Sequence, residues 1–148
     1  MKTAFVYYSK HHGNTKRLLD AITEAFDGID LIDASVVPDA DLNGYGRIGF
    51  ASGIYYSKFH KSVLQFAEKN LPAGKPVFFL YTCGAKKQGY TGTISKIARA
   101  KNADILGEYG CLGFDTFGPF RLVGGVAKGH PDREELAGAV RFYQSIPG

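Results

Sequence analysis

Cysteine is scarce in this chain: Cys83 and Cys111 stand alone, with no C-x-x-C spacing, which argues against a disulfide framework and against a zinc cluster. Long apolar runs are missing too. The longest, such as PVFFLY at 76–81, fall far short of the roughly 20 residues that cross a bilayer. Met1 leads straight into a strand-like segment without the apolar core of a signal peptide, so the expected location is cytoplasmic. There is no internal repeat, no low-complexity tract and no Pro/Gly/Ser linker, and 148 residues suit a single domain over 1–148. The net charge of +4 is too small to call for nucleic acid.

What the chain does contain is an alternation of short β-rich apolar runs with longer stretches of helical period. Thr3 to Ser9 is nearly continuous in apolar and aromatic residues, as a strand buried on both faces should be. From Thr15, residues Leu18, Leu19, Ile22 and Phe26 fall on one helical face, and Gly28 stops the helix. IDLIDAS carries acids and suits an edge strand. RIGFASG, PVFFLYTCG and ADILGEYGCLGF supply three more strands, with HKSVLQFAEKNL and TGTISKIARAKN as helices between them. The last helix opens at DREE, where Asp132 can cap and Glu135 can reach back. Five βα units result. Right-handed crossovers and a weak second strand predict an α/β three-layer sandwich, a five-stranded parallel sheet of order 2-1-3-4-5 with helices on both faces. Ligands in such sheets bind beyond the carboxyl ends of the strands, which brings together the loops at 9–15, 52–59 and 82–90.

The first of these loops reads S-K-H-H-G-N-T. Ser9 and Thr15 offer hydroxyls, Asn14 an amide, and Gly13 a sharp backbone turn at a helix start whose dipole favours an anion, so a phosphate fits there. A plain turn with Asn14 or Thr15 as N-cap is the simpler alternative. His11 and His12 make a poor metal site, because adjacent histidines in an extended loop point apart. Other phosphate motifs fail: no G-x-x-x-x-G-K-[ST] exists, and the first turn has one glycine where a dinucleotide fingerprint needs three, although Asp33 sits where a ribose-binding acid would. GEYGCLG reads as permission for close packing or a bulge in the fifth strand. The second and third loops add Tyr55, Tyr56, Phe59 and Tyr90. Each ring alone reads as packing. Beside a phosphate loop they suit a planar ring carrying one phosphate.

With S-x-x-x-G-N-T, an S-G followed by aromatics, and T-C-G…G-Y in these three loops, the chain resembles the flavodoxin family over essentially its whole length. The resemblance implies a flavodoxin-like fold and non-covalent FMN. It assigns Ser9, His11, His12, Gly13, Asn14 and Thr15 to the FMN phosphate. Ser52, Gly53, Ile54 and Tyr55 would run along the flavin edge, with Gly53 as the peptide that rotates toward flavin N5, and Thr82, Cys83, Gly84 and Tyr90 would flank the pyrimidine side. Cys83 and Cys111 read as small strand-end hydrophobes.

Two departures stand out. The phosphate loop is one residue longer than the S-x-T-G-N-T of shuttle flavodoxins and carries histidine. In that detail and in YYSKFHKSVLQFAEK the chain is similar to the branch that includes quinone-linked protoporphyrinogen oxidase, though it lacks an obvious long insertion beside the fifth strand. The second is charge. Flavodoxins are typically acidic, yet Lys10, Lys58, Lys61, Lys86 and Lys87 fall on the inferred cofactor loops, with His60 beside them. They form either a solvated face or a docking site for an acidic redox partner at Lys58, Lys61, Lys86 and Lys87. Gly113 to Gly125, with Phe114, Phe117, Pro119 and Phe120, is a packed loop or a substrate lid, and Asp115 could donate a proton. The expected function is electron transfer through FMN. An FMN-dependent oxidoreductase acting on a small substrate, of quinone or protoporphyrinogen type, and a flavin-free binding module of the same fold are the alternatives.

Overall fold

In this computed structural model the described residues are 2–10, 12–115 and 125–148. β1 (Thr3–Tyr8) leads through a tight loop into α1 (Asn14–Ala25) and then β2 (Ile29–Asp33). β3 (Arg47–Tyr55) turns directly into the two-residue β4 (Lys58–Phe59) before α2 (Lys61–Asn70). β5 (Pro76–Cys83), α3 (Gly92–Ala100), β6 (Asp104–Leu112) and α4 (Arg133–Ser145) complete the chain. The sheet runs β2-β1-β3-β5-β6, all parallel, and β4 adds an antiparallel flap on β3. Counting only the parallel strands, this is the 2-1-3-4-5 order expected from the sequence.

Strand alternation divides the core into two layers. Ala4 and Val6 of β1 face α2 and α3 with Val63, Phe66, Ala67, Ile94 and Ala98. Phe5 faces the opposite way, toward α1 and α4 with Leu18, Leu19, Ile22, Ala139 and Tyr143. Gly49 lets this second layer close: a Cβ there would stand 2.6 Å from the Phe5 ring and 2.7 Å from Phe78, two rings that meet edge to face with centroids 5.3 Å apart. The glycines of GEYGCLG do what close packing asks. Gly110 lies under the Tyr81 ring, and β6 carries one extra residue between Ile105 and Glu108 opposite Val77 and Phe79.

Two expectations need correction. The five βα units are not all complete, because β2 is followed by turns rather than a helix. Asp33 holds the first of them: its carboxylate accepts from the Ser35 N–H at 2.9 Å and the Ser35 hydroxyl at 2.6 Å. Pro38 and Gly44 break any helical period in this stretch, and Leu42, only 1% exposed, fills the core where a helix face would have packed. Asp33 thus serves a turn, not a ribose. The stretch 52–59 is also no open loop: Ser52 to Tyr55 remain in β3, with Gly53 opposite Thr82 of β5.

Candidate functional site

The β1–α1 loop reaches its helix through two successive left-handed residues, His12 at φ 62° and Gly13 at φ 66°. Glycine adopts this region freely, whereas histidine holds it at a cost of about 1 kcal/mol. Gly13 occupies the N-cap position and brings no side chain to cap α1. This removes the simple alternative of an Asn14 or Thr15 cap. Both side chains reach across to other segments instead. Asn14 Nδ2 donates to the Phe114 carbonyl at 2.7 Å, and the Thr15 and Thr82 hydroxyls are 3.0 Å apart. Ser9 Oγ accepts the Lys16 N–H at 2.9 Å. The first turn of α1 holds no acid, and of the two cations there Lys16 is paired with Asp20, one turn on, at 2.7 Å.

On the other side of the cleft, Ser52 is fully buried, and its hydroxyl accepts the His60 N–H at 3.0 Å while donating to the Gly53 carbonyl at 2.5 Å. This fastens β3 to the start of α2. Tyr56 (φ 52°) and Ser57 (φ 66°) form the intervening turn, both left-handed as a two-residue hairpin requires, with neither glycine nor asparagine to ease it. Tyr55 stands edge-on to Tyr8 and His60 at 5.8 and 5.1 Å, and burial first, then the charges of Tyr8 and Asp115, pushes its hydroxyl up to about 12.

Thr82 and Cys83 close the floor at the end of β5. Cys83 Sγ points to the Cys111 carbonyl at 3.5 Å, and burial raises the two thiols to about 11 and about 12. Neither is a thiolate at neutral pH, in keeping with their reading as small hydrophobes. A third wall comes from the exit of β6. Asp115 pairs with Val126 through backbone bonds of 2.9 and 2.8 Å, and a Cβ on Gly84 would meet Val126 at 2.8 Å and Asp115 at 2.9 Å, so this wall lies directly over the β5 end.

Ser9, Asn14, Thr15, Gly53, Ile54, Tyr55, Thr82 and Cys83 therefore line one cleft, joined by Gly113, Phe114 and Asp115. His12 and Gly13 stand at its edge, where the His12 ring lies 4.3 Å from Phe114. Ser52 sits behind it. Tyr90 does not reach it: its hydroxyl donates to the Ala85 carbonyl at 2.7 Å and its ring packs edge-on against Tyr81, because closing its own loop buries it to 8% exposure. His11 and residues 116–124, with Phe117, Pro119 and Phe120, lie outside the described residues. Gly113 to Asp115, read from the sequence as part of a packed loop or lid, form cleft wall, and a Cβ on Gly113 would stand 2.7 Å from the Asn14 amide nitrogen. The lysines divide. Lys10, Lys58 and Lys61 border a groove on the far side of Tyr55, while Lys86 and Lys87 are exposed on the β5–α3 loop. Among the described residues no helix is long and apolar enough to cross a membrane.

A cleft beyond the strand ends, between the central strands where the chain order reverses, defines a doubly wound α/β protein with a ligand site at its topological switch point. Residues 5–106 match the flavodoxin domain, and the chain belongs to that family. A protein of Methanocaldococcus jannaschii, described as uncharacterized, is 34% identical over 148 residues, covering 99% of this chain and 98% of that one. A flavodoxin from the domain Archaea superposes with a TM-score of 0.65 at 18% identity, over 95% of this chain and 92% of that one. A flavoprotein from Lactobacillus acidophilus, solved in complex with FMN, gives a TM-score of 0.55 at 16% identity, over 74% and 92% of the two chains.

Proposed function

We propose that the chain binds FMN non-covalently in this cleft and carries electrons through it. The observation behind the reading is the start of α1: an N-terminus opened by a left-handed glycine that supplies no side-chain cap, with no acid in its first turn. The N–H groups of Asn14 and Thr15 are among those a helix cannot satisfy internally, and together with the Ser9 hydroxyl they would hold a phosphate. The donor chemistry fits FMN. The cleft volume is about 20 Å3, room for a single water, so a flavin ring enters only as the Tyr55 wall parts from the Phe114 wall. Ile54 and Tyr55 would then cover the ring on one side and Thr82 to Gly84 border it on the other, with Gly53 as the peptide nearest N5. FMN supplies reversible uptake of one or two electrons when bound, and the protein sets its potential by burial, hydrogen bonds and nearby charge. An acidic redox protein docking at Lys58, Lys61, Lys86 and Lys87 would exchange those electrons, at a rate that falls with salt.

Titration with FMN tests the reading: saturable quenching of flavin fluorescence at micromolar concentration is expected, and its absence overturns it. Riboflavin, which lacks the phosphate, should bind about a hundredfold more weakly, because losing charge-assisted hydrogen bonds at the α1 N-terminus removes about 3 kcal/mol.

A further inference from the structure

Tyr55 has a second face. Beyond it, between the β1–α1 loop and the β3–β4 hairpin, lies a groove of about 690 Å3 whose walls are Tyr8, Tyr55, Tyr56, Phe59 and His60 and whose rim carries Lys10, Lys58 and Lys61. We propose that this groove is a second ligand site, for a small planar anion, an aromatic or quinonoid ring bearing a carboxylate or phosphate, separated from the cleft by the Tyr55 ring.

Three observations carry it. First, the walls are flat. Tyr8 and His60 stack parallel, centroids 3.6 Å apart and planes within 7°, and Tyr55 stands steeply across them at 72° and 79°, so the groove is walled by ring faces and edges. Such an arrangement gains most from another π-system. Second, its charge has one sign: three lysines and no acid line it. The described ion pairs of lysine with acid, Lys2–Asp30, Lys16–Asp20 and Lys69–Asp39, engage none of these three. Third, the groove's volume falls in the range of small-molecule sites, about 300 to 1,000 Å3. The hairpin that presents Tyr56, 84% exposed, and Lys58 does so through two left-handed residues that are not glycine, a conformation held at a cost.

The groove shares Tyr55 with the proposed flavin cleft, so the test is run on the full chain with and without FMN. Naphthalene-1-carboxylate is titrated in by NMR. The expected result is one saturation curve shared by the signals of Tyr8, Tyr55, Lys58, His60 and Lys61, with the His60 titration moved upward by the bound anion. The neutral naphthalene-1-carboxamide and the double variant Lys58→Gln/Lys61→Gln should each weaken binding, the variant about tenfold. Both lysines are exposed, so the variant is expected to keep the native spectrum elsewhere. Shifts scattered over the surface, equal affinity for the amide, an unchanged affinity in the double variant, or displacement of the carboxylate by FMN would each overturn the proposal, the last by making the groove part of the flavin's own seat.

Discussion

His60 and His130 both stand at the approach to a helix on the ligand side of the sheet, and their Nδ1 atoms face opposite chemistry. His60 is the N-cap of α2, and its ring nitrogen accepts the Ser62 N–H at 3.1 Å, with the Ser62 hydroxyl at 2.8 Å. A cap of this kind works only with neutral imidazole. Burial and then the charge of Lys61 push its pKa down. His130 precedes the N-cap of α4, and its Nδ1 meets Glu135 Oε1 at 2.5 Å, with Asp132 Oδ2 at 3.7 Å. The hydrogen bond to Glu135 pushes its pKa up, against a smaller effect of burial. One histidine holds its helix by staying neutral, and the other has its charged form favoured by the carboxylate it meets. Only the neighbours distinguish them.

The consequences for pH run in opposite directions. His60, depressed on folding, contributes stability that is complete above the ordinary imidazole value of about 6.5 and is lost as pH falls through it. His130, raised on folding, contributes stability that is complete below that value and is lost as pH rises through its own higher one. Denaturation of the His60→Asn variant, which keeps a capping oxygen, should therefore show a flatter acid side, and His130→Asn a flatter neutral-to-alkaline side. Identical profiles for both variants would break the contrast.

The substitution expected to cost most is Glu135→Ala. That carboxylate also accepts the Asp132 N–H at 2.8 Å and the Leu112 N–H at 3.2 Å, so it binds the end of β6, the His130 loop and α4 at once. About 3 kcal/mol of unfolding free energy should disappear, with Glu135→Gln recovering part of it. His60→Ala removes a cap and the stack on Tyr8, for about 1.5 kcal/mol by urea denaturation. Asp132→Ala, which loses the acceptor for the Glu135 N–H at 2.9 Å and the carboxylate 3.7 Å from His130, should cost about 1 kcal/mol. Lys61→Gln should change stability by less than about 0.5 kcal/mol yet raise the His60 pKa in an NMR titration. An unmoved His60 would show that burial alone accounts for its depression.

Legibility from sequence was uneven along the same lines. The α4 entry was readable because a capping box is local: DREE brings both partners within four residues, and Asp132 and Glu135 make both bonds. The His60 cap was not, since histidine is not among the usual capping residues and its neutrality depends on burial. The β4 flap escaped because its turn is Tyr-Ser rather than Asn-Gly. Tyr90 enters the site reading through the resemblance in T-C-G…G-Y, and the structure turns its hydroxyl to the Ala85 carbonyl, a contact no spacing announces.

Apolar runs, helical period and glycine position by themselves determined the parallel strands, the four helices and the glycine turn into α1, because each depends on side chains a few residues apart, and the strand order followed from right-handed crossovers and a weak second strand. What faces what across the cleft was decided by tertiary structure. Asn14 meets the Phe114 carbonyl across 100 positions, Thr15 meets Thr82 across 67, and His60 stacks on Tyr8. No local pattern encodes such pairs, since they exist only once the crossovers have brought the strand ends together.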